Sequence, residues 1–390
     1  MPHAGIIESF FYIFAGAAVL ATIALYTRQP MLVAYVALGC LLGPFGMRWV
    51  DDPALLSEVA EFGIIFLLFL VGLDLQPSKL KNMVGESLLT AVVTTFAFFA
   101  IGSGVMLMFG FTLIEAAVAG IAASFSSTIL GIKLLPTTAL HHRHVGELVV
   151  ALLLIQDLIA ILAILLLNGL GVDAAALLSS LASIFIGLPL IALLAFVGVR
   201  YGLLYLIRAF DAFHEYIFLL AIGWCLAIAH LALYLGLSLE IGAFIAGVSL
   251  ATSPIAQYIA ESLRPLRDFF LVLFFFSVGA ALNIGLLPDV WLPAALLAGL
   301  LIALKPLIFA GLLKHQGEES KVAWEVGYRL GQASEFSLLL SYIAVANALV
   351  GDEAALIIQF STVLTLVLSS YFVIFRYPSP IAPNARLRRD

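Results

Sequence analysis

The stretch that decides the fold is VGELVVALLLIQDLIAILAILLLN, residues 145–168. It is long enough for one helix across the membrane, because about 30 Å of hydrocarbon takes roughly 20 apolar residues. Near its middle stand Gln156 and Asp157, with only apolar residues for a turn on either side. A charged side chain at that depth costs at least about 2.5 to 3.5 kcal/mol on insertion scales. The stretch therefore predicts a membrane-spanning helix that retains a carboxylate for a functional reason.

The composition extends this prediction to the whole chain. Its 390 residues are 63% hydrophobic and 11% charged, whereas soluble proteins carry about 25% charged residues. The apolar runs are much longer than the roughly 10-residue alternating strands of a membrane β-barrel. The net charge of −6 is spread over short loops of both signs, without the basic stripe that neutralises phosphates, so we expect no nucleic-acid partner. The fold class predicted is an all-α polytopic membrane protein surrounded by lipid bilayer.

Charged, Gly and Pro clusters divide the chain into about thirteen apolar segments. They cover residues 6–26, 31–43, 56–73, 84–109, 113–135, 145–168, 174–207, 214–235, 238–253, 264–283, 288–313, 322–346 and 354–376. The short second and ninth segments occupy the same place in two six-helix blocks, repeat 1 (about 6–168) and repeat 2 (about 214–376). Because the linker helix (about 174–207) adds one more crossing, the second repeat is inverted. Inverted repeats are typical of secondary transporters, whose sites lie near the midplane.

The positions of Lys and Arg give the orientation, because cytoplasmic loops are enriched in both residues. One side of the membrane collects Arg28, Lys79, Lys81, Lys133, Arg143, Arg200, Arg208, Arg264, Arg267, Lys314, Lys321, Arg376, Arg386, Arg388 and Arg389. Arg48 alone falls on the other side, and Lys305 and Arg329 lie within spans. This predicts a multi-pass protein of the cell's inner (plasma) membrane, with its N-terminus outside and the short tail 377–390 in the cytoplasm.

Two further charged side chains lie within predicted spans, Lys305 just before Pro306 and Glu335 near the middle of its segment. One interpretation is that Asp157 and Lys305 form a permanent buried pair that pins two helices together. Such a pair often stabilises less than an apolar replacement, so we favour a functional interpretation. Desolvation favours the protonated form of a carboxylate, whereas an arriving cation favours the ionised form. Proton and cation would then compete for Asp157.

Small and polar residues interrupt two spans in corresponding places of the two repeats. The first span contains Ser124, Ser126, Ser127 and Thr128, and the second contains RLGQASEFS at 329–337. The hydroxyls could simply bond back to their own helix and allow close packing. Alternatively each helix is discontinuous, and its freed carbonyls and hydroxyls replace part of a cation's hydration shell.

Two other polar groups receive structural interpretations. Glu325 and Arg329 stand four residues apart on one helix, a spacing at which they pair with each other. His141, His142 and His144 flank Arg143 in a predicted cytoplasmic loop. They are interpreted as a solvated basic loop rather than a metal site or pH sensor, because no Cys or acidic ligand completes a metal shell nearby.

Several short motifs recur in an order and spacing that are specific only together. In chain order they are LLGP at 41–44, AEFG at 60–63, FLVGLD at 69–74, SST at 126–128, QD at 156–157, GAFIAG at 242–247, FFFSVG at 274–279 and GQASEF at 331–336. With them the chain resembles the monovalent cation:proton antiporters of the Kef type, relatives of the NhaA and NapA sodium/proton antiporters. The resemblance covers nearly the whole chain.

The resemblance implies an NhaA/NapA-like fold with crossed discontinuous helices, in a homodimer whose mobile core moves like an elevator. It places Asp157 on the family's cation- and proton-binding aspartate, and Gln156 on a preceding position that is Gln in Kef-type potassium/proton antiporters. Lys305 matches the basic residue of the core, which in some relatives pairs with that preceding position. Kef-type proteins also carry a nucleotide-binding regulatory domain, and residues 377–390 hold no Gly-rich fingerprint for one.

These observations predict a secondary antiporter, not an enzyme, that exchanges K⁺ for H⁺ by alternating access and needs no cofactor. The predicted site contains Asp157, Gln156, Ser126, Ser127 and Thr128. Lys305 and Glu335 are predicted as its charged neighbours. Because Gln156 is neutral, one titrating carboxylate predicts electroneutral 1:1 exchange. The alternatives are Na⁺ as the transported ion, a cation channel, a transport-inactive sensor, and an intramembrane aspartyl protease, which would need a second carboxylate sharing the site.

Overall fold

The computed structural model describes residues 6–50, 53–74, 77–135, 144–170, 186–210, 213–253 and 255–379. Within these ranges every regular element is helical, in agreement with the predicted fold class. The first half of the chain forms α1 (Ile6–Tyr26), α2 (Met31–Leu42), α3 (Pro53–Asp74), α4 (Pro77–Met108), α5 (Leu113–Ser124), α6 (Thr128–Lys133) and α7 (His144–Leu170). Residues 174–185 of the predicted linker helix lie outside the described ranges.

The second half begins with α8 (Leu188–Val197), which continues through a π-helical stretch (Gly198–Leu203) into α9 (Leu204–Ala209). It goes on with α10 (His214–Tyr234), α11 (Leu239–Ala251), α12 (Ala256–Ala281), a 3₁₀ turn (Ile284–Leu286), α13 (Leu287–His315), α14 (Ser320–Arg329), α15 (Glu335–Ala346) and α16 (Asp352–Arg376). Each predicted apolar segment therefore contains a helix or a pair of consecutive helices.

Among the described residues, six helical stretches are long and apolar enough to cross a membrane. They are Ile6–Tyr26, Ser87–Met108, Leu188–Ala209, Glu215–Tyr234, Ile284–His315 and Asp352–Arg376. Shorter apolar helices, among them α2, α5, α11 and α15, account for further predicted segments. The exact number of thirteen crossings stays a prediction.

The chain divides into two compact units. Unit 1 comprises Met1–Asp51, Asn82–Ile164 and Val278–Asp390, and unit 2 comprises Asp52–Lys81 and Leu165–Ser277. Each unit takes chain from both predicted repeats, so neither unit coincides with one repeat. All residues of the predicted site belong to unit 1.

Unit 2 is organised around the crossing of α3 and α11. At the crossing two glycines face the opposite backbone: a Cβ on Gly72 would meet the carbonyl oxygen of Phe244, and one on Gly247 would meet that of Phe69. Small residues at such a contact allow two helix backbones to approach closely in a membrane. The crossing explains why glycine stands at these two positions of the FLVGLD and GAFIAG motifs.

The part of unit 1 that positions the site is a layer of α4, α7, α13 and α14. Its buried side chains form one apolar cluster, in which the rings of Phe98 and Phe309 lie 5.4 Å apart between centroids. Leu152 and Leu153 of α7 belong to the same cluster. Packing on this side of α7 fixes the helix one turn before Gln156 and Asp157.

Candidate ion-binding site

The first predicted interruption is a true break between α5 and α6. Helix α5 ends at Ser124, Phe125 is extended (φ −91°, ψ 153°), and α6 begins at Thr128. The Ser124 hydroxyl bonds back to the carbonyl of Gly120 at 2.8 Å, as the simpler interpretation expected of a helix serine. The Ser127 hydroxyl accepts the backbone N–H of Leu130 at 3.1 Å and so caps the new helix.

The second predicted interruption is a break between α14 and α15. Helix α14 ends at Arg329, and α15 begins at Glu335 behind the cap residue Ser334. The Ser334 hydroxyl accepts the backbone N–H of Phe336 at 3.1 Å, and Ser337 Oγ accepts that of Ser334 at 3.2 Å. Both spans that the sequence marked as interrupted are therefore discontinuous helices.

Side chains fasten the two breaks to each other. Ser126 Oγ in the first break donates to the carbonyl of Leu330 in the second at 2.8 Å. Ser337 Oγ at the start of α15 donates to the carbonyl of Ala122, near the end of α5, at 2.6 Å. Backbone carbonyls that lose their helical partners at a break must find others inside a membrane protein, and hydroxyls from the opposite break supply them.

Lys305 of α13 completes this connection. Its Nζ donates to the carbonyl of Phe125 at 2.6 Å and to that of Gln332 at 2.9 Å, so one side chain satisfies a carbonyl in each break. It also lies 3.4 Å from Ser126 Oγ and 5.0 Å from the centre of the Phe98 ring. No ion pair joins Lys305 to Asp157, both of which the structure describes, so the permanent pinning pair is not formed.

Asp157 lies beside the first break, with 3% of its surface exposed. The Thr128 hydroxyl, in the first turn of α6, is 3.1 Å from Oδ1 and 3.0 Å from Oδ2 of its carboxylate. Glu335, whose carboxyl group is also buried at 4% exposure, is within electrostatic range of Asp157. The structure thus brings Thr128 directly to Asp157 and keeps Glu335 in its neighbourhood.

The hydroxyls of Ser126 and Ser127 are engaged elsewhere in this conformation, the first by Leu330 and the second by Leu130. Gln156 contributes its Oε1, which accepts the backbone N–H of Ser126 at 3.2 Å. Because an N–H only donates, this contact fixes the orientation of the carboxamide. Gln156 Nε2 is buried and has no hydrogen-bond partner within the described residues.

A stripe of hydroxyl side chains on α16 escaped the sequence interpretation. Its buried members are Ser361, Thr362, Thr365, Ser369 and Ser370. Two of them reach the second break: Thr365 Oγ1 accepts the N–H of Ala333 at 3.0 Å, and Ser369 Oγ donates to Gln332 Oε1 at 3.0 Å. The repeated spacing of hydroxyl residues on one face of an apolar helix was a signal that this face meets polar groups, although it does not identify which groups.

The predicted pair of Glu325 and Arg329 is confirmed, with Arg329 Nη2 2.7 Å from Glu325 Oε1. The buried guanidinium does more than pair, since Nη1 donates to the carbonyl of Leu134 at 2.9 Å and Nη2 to that of Pro378 at 2.8 Å. Arg329 therefore joins the end of α14 to the segments that follow α6 and α16.

Of the three clustered histidines only His144 falls within the described residues, at the start of α7. Its Nε2 lies 2.8 Å from Glu318 Oε1, and its Nδ1 lies 3.8 Å from Glu147 Oε2. The hydrogen bond to Glu318 raises the pKa of this half-exposed imidazole. Among the residues that the structure describes, no group of three His, Cys, Asp or Glu side chains is placed to hold a metal ion.

A largely apolar helical chain, with two broken helices that meet beside a buried carboxylate, has the architecture of a secondary transporter. The chain belongs to the sodium/hydrogen exchanger transmembrane family, whose pattern matches residues 11–375. Family membership confirms the antiporter resemblance found in the motifs.

Individual relatives agree with this assignment. The chain is 32% identical over 355 residues to K(+) efflux antiporter 4 of Arabidopsis thaliana, covering 87% of this chain and 58% of that protein. It is 30% identical over 352 residues to K(+) efflux antiporter 5 of the same plant, covering 87% of this chain and 61% of that protein. The chain thus spans about three fifths of the length of these relatives.

A solved structure has a similar fold: the sodium proton antiporter MjNhaP1 from Methanocaldococcus jannaschii at pH 8. The TM-score is 0.66 at 17% sequence identity, over 98% of both chains. At this identity the likeness concerns the fold alone.

Proposed function

We propose that this chain exchanges a monovalent cation for H⁺ by alternating access, with Asp157 as the shared binding group. The observation that carries the proposal is the placement of Asp157, buried at 3% exposure beside the break between α5 and α6, where the Thr128 hydroxyl is bonded to it. Among the residues that the structure describes, no cationic side chain forms an ion pair with this carboxylate, which therefore holds an uncompensated charge when it is ionised. It therefore takes up either a proton or a cation, since burying a charge unpaired is costly.

Oxygen ligands near Asp157 suit an alkali cation. The carboxylate supplies charge, and the Thr128 hydroxyl adds a neutral oxygen whose lone pairs turn to the cation once its proton points away. In the proposal Gln156, Ser126 and Ser127 shape the pocket through the contacts described above. Their oxygens would bind the cation only after those contacts rearrange. Lys305 and Glu335 set the electrostatic balance around the bound ion.

K⁺ is our preferred ion and Na⁺ the alternative. The K⁺ assignment draws support from the two relatives named K(+) efflux antiporters, and Na⁺ from the name of the solved fold neighbour. The neutral Gln156 supports electroneutral exchange of one cation for one proton. No cofactor enters the scheme, and the family match supports transport rather than enzymatic catalysis.

We further propose a homodimer in the plasma membrane, with the N-terminus outside and the C-terminus in the cytoplasm. The orientation rests on the one-sided distribution of Lys and Arg in the loops. The dimer rests on the resemblance to the antiporter family. Crosslinking in native membranes tests the dimer, and the accessibility of cysteines introduced at Arg48 and at Lys314 to an impermeant reagent tests the orientation.

The experiment for the exchange itself uses the chain in proteoliposomes with a pH-sensitive dye inside. An outward gradient of K⁺, Na⁺ or Li⁺ should acidify the lumen, because H⁺ enters as the cation leaves, and an inward gradient should alkalinise it. Asp157→Asn should abolish both responses. Full activity of Asp157→Asn at normal protein yield would contradict the central role of the carboxylate.

Two other functions of the same fold would give different results. A cation channel would pass ions without moving protons, so tracer flux would persist while the dye stayed silent. A transport-inactive sensor would show neither flux nor a dye response. Currents that reverse with membrane potential in the wild-type protein would exclude the electroneutral scheme.

A further inference from the structure

Gln332, in the break between α14 and α15, has a fully buried side chain whose every polar atom is engaged. Nε2 donates to the carbonyl of Arg329 at 2.9 Å and to that of Ser127 at 3.5 Å. Oε1 accepts the hydroxyl of Ser369 at 3.0 Å. Because carbonyls only accept, Nε2 must face them, and the orientation of the carboxamide is settled by its partners.

Ser369 holds this carboxamide from outside the pair of broken helices. It lies on α16, one turn beyond Thr365, whose hydroxyl accepts the backbone N–H of Ala333. Helix α16 therefore binds both the side chain of Gln332 and the backbone next to it. Gln332 of the second break is thereby fixed to an unbroken helix.

The other end of Gln332 reaches the first break next to the ion-binding carboxylate. The Ser127 carbonyl that accepts from Nε2 also accepts the N–H of Gly131 at 2.9 Å, so it begins the hydrogen bonding of α6. Thr128, the following residue, carries the hydroxyl that bonds to Asp157. The contact of Gln332 thus falls on the peptide group that directly precedes Thr128.

We propose that Gln332, braced by Ser369, is a positioning residue that holds the Thr128 hydroxyl in place for cation binding at Asp157. The inference rests on the proposed function. A coordinating oxygen must be held to within about 0.5 Å to be useful, whereas a proton bound to the carboxylate requires no second ligand. Loss of the brace therefore weakens cation binding and leaves the proton-bound form intact.

The test combines Ser369→Ala with Thr128→Val in a double-mutant cycle, read as the apparent KM for K⁺ and the maximal rate in proteoliposomes. Ser370→Ala is the matched control, because Ser370 is also buried on α16 but bonds to Gln29 instead of the break. Ser369→Cys, which keeps the shape and a weak donor, covers the case that Ser369→Ala is poorly produced.

Ser369→Ala should raise the apparent KM about three- to tenfold, with the maximal rate within twofold of wild type. The apparent KM of Ser369→Cys should lie between the values of the wild type and Ser369→Ala. In the Thr128→Val background Ser369→Ala should change the KM by less than twofold, since the hydroxyl it positions is gone. Ser370→Ala should leave the KM unchanged.

Equal KM effects of Ser369→Ala in both backgrounds would overturn the inference, because residues that act independently give additive effects. An equal effect of Ser370→Ala would overturn it as well, by showing a general loss of packing. A wild-type protein without cation/proton exchange would instead refute the proposed function, so the two failures are distinguishable.

Discussion

The Thr128 hydroxyl stands 3.1 Å from one carboxylate oxygen of Asp157 and 3.0 Å from the other. A hydroxyl has one proton, so the two carboxylate oxygens share a single bifurcated hydrogen bond from Thr128. The arrangement stabilises the ionised carboxylate weakly enough for a cation to replace the hydrogen bond. It also places the hydroxyl oxygen beside any ion that bridges Asp157 and α6.

Removing this hydroxyl should weaken cation binding. We expect Thr128→Val to raise the apparent KM for the transported cation at least about tenfold, because a hydrogen-bonding group next to a charge contributes about 1.5 to 3 kcal/mol, and each 1.4 kcal/mol is a factor of about ten. Thr128→Ser, which keeps the hydroxyl, should stay within about threefold of wild type. Dye-based exchange assays over a range of cation concentrations measure both. Equal KM values for the two variants would exclude Thr128 as a ligand.

Adding a second carboxylate beside Asp157 should make exchange electrogenic. In Gln156→Glu an oxygen remains to accept the N–H of Ser126, so the local fold is kept while a second proton site appears. We expect currents that depend on membrane potential in this variant and none in the wild type. The double variant with Asp157→Asn serves as the transport-inactive control. A Gln156→Glu protein that exchanges ions without current would show that the added group does not exchange its proton.

Lys305 should be required for stability as well as for transport. Lys305→Met leaves the carbonyls of Phe125 and Gln332 without their donor, at about 1 to 3 kcal/mol for each buried unpaired group. The melting temperature of the purified protein should fall clearly. Lys314→Met is the control on the same helix, since Lys314 is exposed and lies over the Trp324 ring at 5.3 Å. A Lys305→Met protein as stable as Lys314→Met would contradict the described role.

The glycine crossing of unit 2 should not tolerate a methyl group. In Gly247→Ala the new Cβ would meet the Phe69 carbonyl oxygen and lie 2.8 Å from Leu73 N. Overpacking of this kind costs about 1 to 3 kcal/mol. Gly223→Ala on α10, where a Cβ would meet nothing within 4 Å, should leave the melting temperature unchanged or slightly higher. A lower melting temperature in Gly223→Ala but not in Gly247→Ala would contradict the close backbone contact at Gly247.

The contact between His144 and Glu318 should stabilise the protein below neutral pH. Because the folded protein raises the pKa of His144, the contribution is complete below the ordinary value of about 6.5 and is lost as pH rises through the raised value. Glu147 on the same helix is the other acidic group near the imidazole. The difference in melting temperature between wild type and His144→Gln should therefore shrink from pH 6 to pH 9.

His315→Gln is the control for that titration, since it removes an exposed histidine outside the contact. A wild-type advantage over His144→Gln that is constant across this pH range would show that the charge on His144 plays no part.

Much of this site was predictable because membranes make polar residues conspicuous. Asp157 stands out in a run of apolar residues, and the glycine and serine clusters at 124–131 and 331–337 predicted two breaks that the structure confirms. Unpaired backbone groups are costly in hydrocarbon, so a helix break in a membrane requires polar residues that pair with them, and such residues can be recognised in the sequence. Polar and glycine residues within apolar segments therefore located Asp157 and the two breaks.

The partners of individual side chains were beyond prediction from sequence. The sequence pointed to Ser126, Ser127 and Thr128 equally, yet only the Thr128 hydroxyl faces Asp157 in the structure. The direction of each side chain depends on backbone angles inside the break, which no periodic pattern specifies. Gln332 and Ser369 were missed for a related reason, because their contact joins residues 37 positions apart.

Lys305, Ser126 and Ser337 join the two breaks, and these contacts restrict how the breaks can move in the proposed exchange. Sliding one half-helix past the other would rupture several short buried contacts at once. Such a step would cost several kcal/mol in every cycle. In the proposed exchange we therefore expect the two breaks to move together as one body, with the contacts between them kept throughout the cycle.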